Sequence, residues 1–360
     1  MAERQAILDR IQQLRTDLNA STFPRGEGLP CDLDTFILLL GGISSLRKVP
    51  GMEEHMGFAP DFRCSDEQAG QVRGHLEEMF GITDRESLLA ACDRLFSTGL
   101  EYAQFLSFWA ELPSFEEGEL SPQGLEVFRA CKDYAATFRD IVGEKGFYAW
   151  DIGERIGLLR TACACGIITQ GELRAMGWEL ARLATDVYSS WQEYALSSLC
   201  GAVYFLFVQS GRQEGGLQHF CEVNDHCIRY LFFEDSSWTR FNWYAFPQKQ
   251  FVLREEDVKP LLSGWEGPVG CMATDRIMVE GKPVGYMYRE EPGPDHDGDS
   301  GWRFFAGDED EEYLSNPEHM GVYSLNVLCN YSPDIEEHLT ASYGTACFRG
   351  EDGSLQREER

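Results

Sequence analysis

Arg276-Ile277-Met278-Val279-Glu280-Gly281-Lys282-Pro283-Val284-Gly285-Tyr286-Met287-Tyr288-Arg289 is the stretch where the chain stops reading as helix. Val284, Tyr286 and Tyr288 alternate with Gly285 and Met287, the period of two that sends successive side chains to opposite faces of a sheet. With Ile277-Met278-Val279 before a Glu280-Gly281 turn, the stretch reads as a β-hairpin. Ser300 to Phe305 is a second short aromatic run of strand type. The Pro/Gly/Asp-rich segment Glu291 to Asp299 between them is a loop by its turn residues. A short helix is expected after Pro333, through Ile335 and Leu339, and a last strand near Thr345 to Phe348. A polar tail that frays should follow.

Upstream of about Phe246 the signals are helical. Ser65-x-x-Gln68, Thr83-x-x-Glu86, Thr169-x-x-Glu172 and Ser190-x-x-Glu193 fit a capping box, and Ser121-Pro122 is a further start. Stripes at spacings of three and four follow. One is Phe128, Cys131, Ala135, Phe138 and Val142; another is Ile152, Ile156, Leu159 and Cys163; a third is Leu173, Met176, Leu180, Leu183 and Val187. Gly81, Gly99, Gly143 and Gly166 stand where these helices should stop. The fold class is therefore multidomain α and α+β: an all-α N-terminal region, then a small α+β domain with an antiparallel sheet. The divisions read as a helical segment without assignment over 1–60, an all-α domain over 61–250, a linker over 251–268, an α+β domain over 269–350 and a tail over 351–360.

Composition limits the function. In 360 residues, 43% hydrophobic and 12% aromatic content excludes a wholly disordered chain. Sixty acids against 31 bases, net -29, set the chain against phosphate backbones and anionic lipid, so neither nucleic acid nor membrane is an expected partner. Residues 271–360 hold 20 acids and 7 bases, net -13, and are more than twice as dense in negative charge as the rest. The apolar run Leu199 to Val208 is about half of the roughly 20 residues that span a bilayer. With no apolar leader at Met1-Ala2-Glu3-Arg4-Gln5, the twelve scattered cysteines read as reduced thiols and the compartment as cytoplasmic.

Asp308-Glu309-Asp310-Glu311-Glu312 is the most conspicuous local feature. Five adjacent carboxylates repel one another unless water, a metal or a basic partner screens them. The run lacks the alternating ligands and mid-loop glycine of a calcium loop. Trp302, Arg303, Phe304, Phe305 and Tyr313 flank it, and aromatic anchors rimmed by one sign of charge suit a protein interface; a solvated turn is the plainer alternative. His219-x-Cys221 and Asp225-His226-Cys227 do not have zinc spacing and read as core thiols with surface histidines. Trp150, Asp151 and Arg155 read as architecture, an acid and a base four apart on a helix with tryptophan beside them. Phosphate loops, nucleophile elbows and redox pairs are absent, so no catalytic residue, metal or cofactor is expected.

Two family resemblances rest on particular residues. Gly81-Ile82-Thr83-Asp84-Arg85-Glu86, Leu95-Phe96 with Gly99, Ala149-Trp150-Asp151-Ile152-Gly153 with Arg155 and Arg160, Gly166-Ile167-Ile168-Thr169 with Glu172, and Ser190-Trp191-Gln192-Glu193-Tyr194 resemble the bacterial domain-of-unknown-function family 1266 over about residues 60–245. That implies a helical domain without assigned chemistry. Thr274-Asp275-Arg276-Ile277, Val284 to Pro292, Asp299 to Tyr313, Asn316-Pro317, Asn330-Tyr331 and Pro333-Asp334-Ile335 resemble immunity-protein family 33, formerly domain-of-unknown-function family 2185, over about residues 269–350.

The second resemblance implies a role in polymorphic-toxin systems, binding a cognate toxin and blocking it. The expectation is a cytoplasmic bacterial immunity-type protein, not an enzyme, whose partner is a basic toxin. Its contact residues would be Tyr288, Glu290, Glu291, Trp302, Arg303, Phe305, Asp308, Glu309, Asp310, Glu311, Glu312 and Tyr313. The alternatives are a metal-assisted hydrolase using Asp295, Asp297, Asp299 or Asp308, and an interaction module unrelated to toxins. Oligomeric state is open at this point.

Overall fold

A computed structural model of the chain describes residues 2–20, 29–47, 64–97, 121–234, 237–293 and 298–358; Gly99, Asp295, His296 and Asp297 lie outside them. The chain divides into two compact units, Met1–Phe246 and Pro247–Arg360.

The first unit is helical. Caps written in the sequence set several starts: Ser65 and Thr169 each exchange both hydrogen bonds of a capping box with Gln68 and Glu172, and Ser121 caps a helix with proline in its first turn. The start expected at Thr83 falls one residue later. Asp84 accepts from the Ser87 N–H while its own N–H reaches the Ser87 hydroxyl, so an Asp/Ser pair replaces the Thr/Glu pair. At Ser190 only half of the box forms, because the Glu193 carboxylate turns to Ser189 and Lys145. The helix Trp191–Gln209 is enclosed on nearly all sides. Gly201 lets it approach the helix Tyr148–Ala164, since a Cβ there would lie 2.6 Å from Trp150 Cβ. Around its first turns Trp191 stacks on Trp238 at 5.1 Å and meets Trp243 at 4.8 Å. Two buried ring heteroatoms here are satisfied by backbone carbonyls, Trp238 Nε1 donating to Leu39 O and the Tyr194 hydroxyl to Leu40 O.

The N-terminal helix Ala2–Ala20 belongs to this unit. Ile7, Ile11, Leu14 and Leu18 are buried in its core. Arg10 and Arg229 converge on the buried Asp225 carboxylate at 2.9 and 3.1 Å, and Arg229 also reaches Asp17 at 2.8 Å. The helix is thus tied to Leu217–Arg229 by burial and by charge.

The second unit is a six-stranded sheet with a core built between one of its faces and the helical segments Asp275–Met278, Leu325–Tyr331 and Pro333–His338. Its strands are β1 (Gly270–Thr274), β2 (Tyr286–Arg289), β3 (Asp299–Phe305), β4 (Met320–Ser324), β5 (Ala346–Arg349) and β6 (Leu355–Arg357), in the order β4-β1-β3-β2-β5-β6. Only β1 and β3 run parallel. The hairpin expected over 276–289 is half right. Its second arm is β2, but Asp275–Met278 forms a helical turn, with Val279 and Glu280 N–H groups both reaching Asp275 O. Ile277 and Met278 are consecutive and both buried, which a strand with one solvent face could not achieve. The partner of β2 is instead β3, so the two aromatic runs pair with each other.

Residues 251–268, expected as a linker, are built into this unit. The N–H groups of Leu261 and Leu262 donate to Asn326 Oδ1 and that of Leu253 to the Tyr331 hydroxyl, while Leu262 and Trp265 pack on the core. The expected fraying tail is partly ordered as well: β6 pairs with β5, and Leu355 is buried. Polar composition hid it, because an edge strand needs only one inward side chain.

Candidate functional site

The pairing register assigns each sheet residue to a face. Cys271, Ala273, Met287, Trp302, Phe304 and Cys347 point one way and form a core with Ile277, Leu325, Leu328, Cys329, Ile335 and Leu339 from the helices. The opposite face carries Val322, Met272, Arg303 and Tyr288 in one cross-strand row, and Phe305, Tyr286 and Phe348 in the next. Arg303 is buried, Met272, Tyr286, Tyr288 and Phe305 are half-buried, and Val322 and Phe348 are 75% and 42% exposed. Tyr288 stacks on Phe305 at 5.8 Å, and Tyr286 lies 6.1 Å from each. Three rings, a fourth at Phe348 and two aliphatic side chains make an apolar patch on a solvent-facing sheet.

Charge is arranged around that patch. At its centre Arg303 is neutralised: Nη2 donates to Asp299 at 2.6 Å and Nε to Glu290 at 2.7 Å, and the Asp299 hydrogen bond leads the rise in its pKa. Glu290, Glu291 and Asp299 lie at one end of the β2–β3 pair, and the acidic run follows the other end of β3.

The acidic run is not one surface. Glu309 folds back to staple the turn, accepting from the Thr274 hydroxyl and from the Ala306 and Gly307 N–H groups. Asp310 caps the helical turn Glu311–Leu314 through the Tyr313 N–H. Asp308 holds Lys282 at 2.5 Å, a hydrogen bond that lowers its carboxyl pKa. Tyr313 stacks on His319 at 4.1 Å and under the Arg276 guanidinium at 4.8 Å, and burial pushes its phenol up to about 12. Glu311 and Glu312 remain as exposed carboxylates of the run.

Of the expected contact residues, Tyr288, Phe305 and Glu290 come together on the open face, with Arg303 buried among them. Trp302 must be withdrawn from that set. It is fully buried, its Nε1 donates to Leu339 O, and strand alternation sends it to the opposite side from Arg303 and Phe305. Glu309 and Asp310 are withdrawn as contacts for the reason just given, their carboxylates being turned onto their own backbone. Sequence reading missed Tyr286, Phe348, Met272 and Val322. The alternation of Tyr286 with Tyr288 was a sufficient signal for the first; the others needed the strand order.

In the helical unit, Trp150 carries the Arg47 guanidinium over its ring at 4.7 Å, and Arg47 also pairs with Glu154. Burial lifts the Asp151 carboxyl to about 7 against the opposing charge of Arg155. Cys221 and Cys227 are buried, while His219 and His226 are exposed. A cavity of about 740 Å³ beside Arg15, Lys145, Tyr188 and Glu193 has walls that satisfy one another, Lys145 pairing with Glu193 and Tyr188 with Ser197. Among the described residues no group of three His, Cys, Asp or Glu is placed to hold a metal ion. Of the carboxylates considered as metal ligands, Asp299 is held by Arg303 and Asp308 by Lys282.

Comparison with known families falls on the same two regions. Residues 271–359 match the Immunity protein Imm33 domain. The matched span contains all six strands but the first residue of β1, and with them the open face. An immunity domain implies a toxin as partner in general terms. Residues 75–243 match a protein family of unknown function, DUF1266, which leaves the N-terminal helix outside the matched span although it packs into the same core. No curated protein and no solved structure matches the chain. No helix among the described residues is long and apolar enough to cross a membrane.

Proposed function

We propose that this chain is an immunity-type binding protein that neutralises a basic toxin in the bacterial cytoplasm by covering it with the open face of its Imm33 sheet. The observation that carries the reading is the aromatic patch of Tyr286, Tyr288, Phe305 and Phe348 on the face of the sheet opposite its helix-packed core. Half-buried aromatic clusters at a protein surface are the usual centres of protein interfaces. Carboxylates beyond both ends of the strands would steer a cationic partner to it, and the net -13 of residues 271–360 would hasten encounter. The role is binding and not catalysis: it consists in occluding the toxin's working surface.

The test begins with partners captured by the intact chain from its host, each then produced alone and with the chain. A captured basic protein should arrest growth alone, be neutralised by the wild-type chain, and escape the double variant Tyr288→Ala/Phe305→Ala. Binding should weaken as salt rises. Equal protection by the double variant would reject the face. Only non-toxic partners would reject the role.

A further inference from the structure

The open face of the sheet does not carry its charge evenly. Asp299, Arg303 and Glu290 form one network on it, two carboxylates against one guanidinium, which leaves a single negative charge in excess. Hydrogen bonding decides where that charge lies. Asp299 takes Arg303 Nη1 on one oxygen at 2.9 Å and Nη2 on the other at 2.6 Å, and the Gly301 N–H at 2.9 Å besides. Both of its oxygens are used, and its side chain is only 17% exposed. Glu290 takes Arg303 Nε alone, on Oε1 at 2.7 Å, and is 47% exposed. Among the described residues no donor reaches Glu290 Oε2. The excess charge therefore stands on that oxygen, while Arg303 holds the carboxylate by the other.

Ring surface lies next to it. Glu290 N–H donates to Gly301 O, which carries the β2–β3 ladder one residue past β2, and the bond to Arg303 puts the Glu290 side chain on the same face as Tyr288. Burial leads the rise in the Tyr288 phenol pKa and the Glu290 charge adds to it, as expected of a carboxylate close to the ring. A cation brought to Oε2 thus meets a carboxylate on one side and aromatic surface on the other. An ammonium is strongly hydrated, and rings do not replace its water. A guanidinium is planar and more weakly hydrated, so it can lie on a ring while its in-plane N–H groups reach an acceptor at the ring's edge.

We propose that the basic surface taken by this face is presented as an arginine side chain, its guanidinium laid on the Tyr288 ring and donating to Glu290 Oε2. The proposal rests on the toxin-binding reading and narrows it: the anchor on the partner is arginine and not lysine. Arginine and tyrosine are both over-represented among the residues that dominate interface energetics, and a carboxylate already fixed by Arg303 costs less ordering on binding than a free one.

Capped hexa-arginine and hexalysine carry the same charge, and each is titrated calorimetrically into the intact chain at physiological ionic strength. Both should bind so acidic a protein, and hexa-arginine should bind about fivefold tighter or more. Glu290→Gln and Tyr288→Leu should each abolish that preference. Glu144→Gln, which removes an exposed carboxylate from the helical unit, should leave it intact. Glu290→Gln is close to isosteric at an exposed position, so it decides the matter if circular dichroism shows Tyr288→Leu to be unfolded. Equal affinity for the two peptides, binding of neither, or a preference that survives Glu290→Gln would overturn the proposal. No toxin enters the titration, so the two readings fail separately. A toxin neutralised through this face by a chain without the preference would sink the arginine anchor alone, whereas the preference found with only non-toxic partners would sink the toxin role alone.

Discussion

In the helical unit Trp191, Tyr194, Trp238 and Tyr134 are buried among helices on every side, whereas one strand of the sheet unit divides its aromatics: Trp302 and Phe304 point into the core and Phe305 points out beside Tyr286 and Tyr288. The helical unit gathers these rings into one core, which the N-terminal helix joins. The sheet unit builds its core with helices on one face, and its other face holds apolar rings that a partner could cover at little conformational cost, since stacking has already ordered them. Aromatic content alone therefore marks no site. What matters is whether the fold supplies a second layer.

The sharpest way to break that contrast lies within β3. Trp302→Ala should cost about 3–5 kcal/mol, the range for emptying a large core site, while Phe305→Ala should cost under about 1 kcal/mol. Urea unfolding of both variants checks this, and equal losses would mean the two faces are not inside and outside. Next in size is the tie holding the N-terminal helix. Asp225→Ala should cost roughly 3 kcal/mol, the lower end for a broken buried pair, because Arg10 and Arg229 keep access to water. Denaturation with Asp17→Ala as a milder reference measures it.

The third prediction concerns pH. The Asp151 carboxyl, near 3.8 when unfolded, is raised to about 7 in the fold, so between those values the native state holds a proton that the unfolded chain has lost. Stability should fall as pH rises through that window and level off above it. Asp151→Asn should remove the slope and gain roughly 2 kcal/mol over wild type at pH 8. The same slope in both proteins would refute the assignment. The smallest effect separates members of the acidic run. Glu309→Ala should cost about 1.5 kcal/mol through the lost turn bonds, against less than about 0.5 kcal/mol for Glu312→Ala, read from melting temperatures.

Much of the helical unit was legible because its signals are local. Ser65, Ser121 and Thr169 cap helices through residues three positions on, and the stripe from Phe128 to Val142 is buried as its spacing implies. Asp275–Met278 misled because Ile277-Met278-Val279 is a short apolar run, which periodicity alone cannot assign to helix or strand. The site was legible in composition but not in geometry. Trp302 and Phe305 belong to one motif, yet their parity in the strand puts them on opposite faces. Glu309 and Asp310 look like free charge until the turn that they hold is seen. Val322 and Phe348 join the patch only through pairings across β1 and β5, which no local signal encodes.

Gly285 and Gly301 sit at opposite ends of the β2–β3 pairing, where a Cβ would collide with Ala306 O and with Glu290 O. Gly301 also requires a positive φ of 81°. The consequence concerns inheritance. These two positions hold the backbone of the patch in place without contributing to its chemistry, while the rings between them lie outside the core. On the proposed reading, a lineage facing a changed toxin could exchange those rings one at a time and keep the same frame, so recognition would drift much faster than architecture.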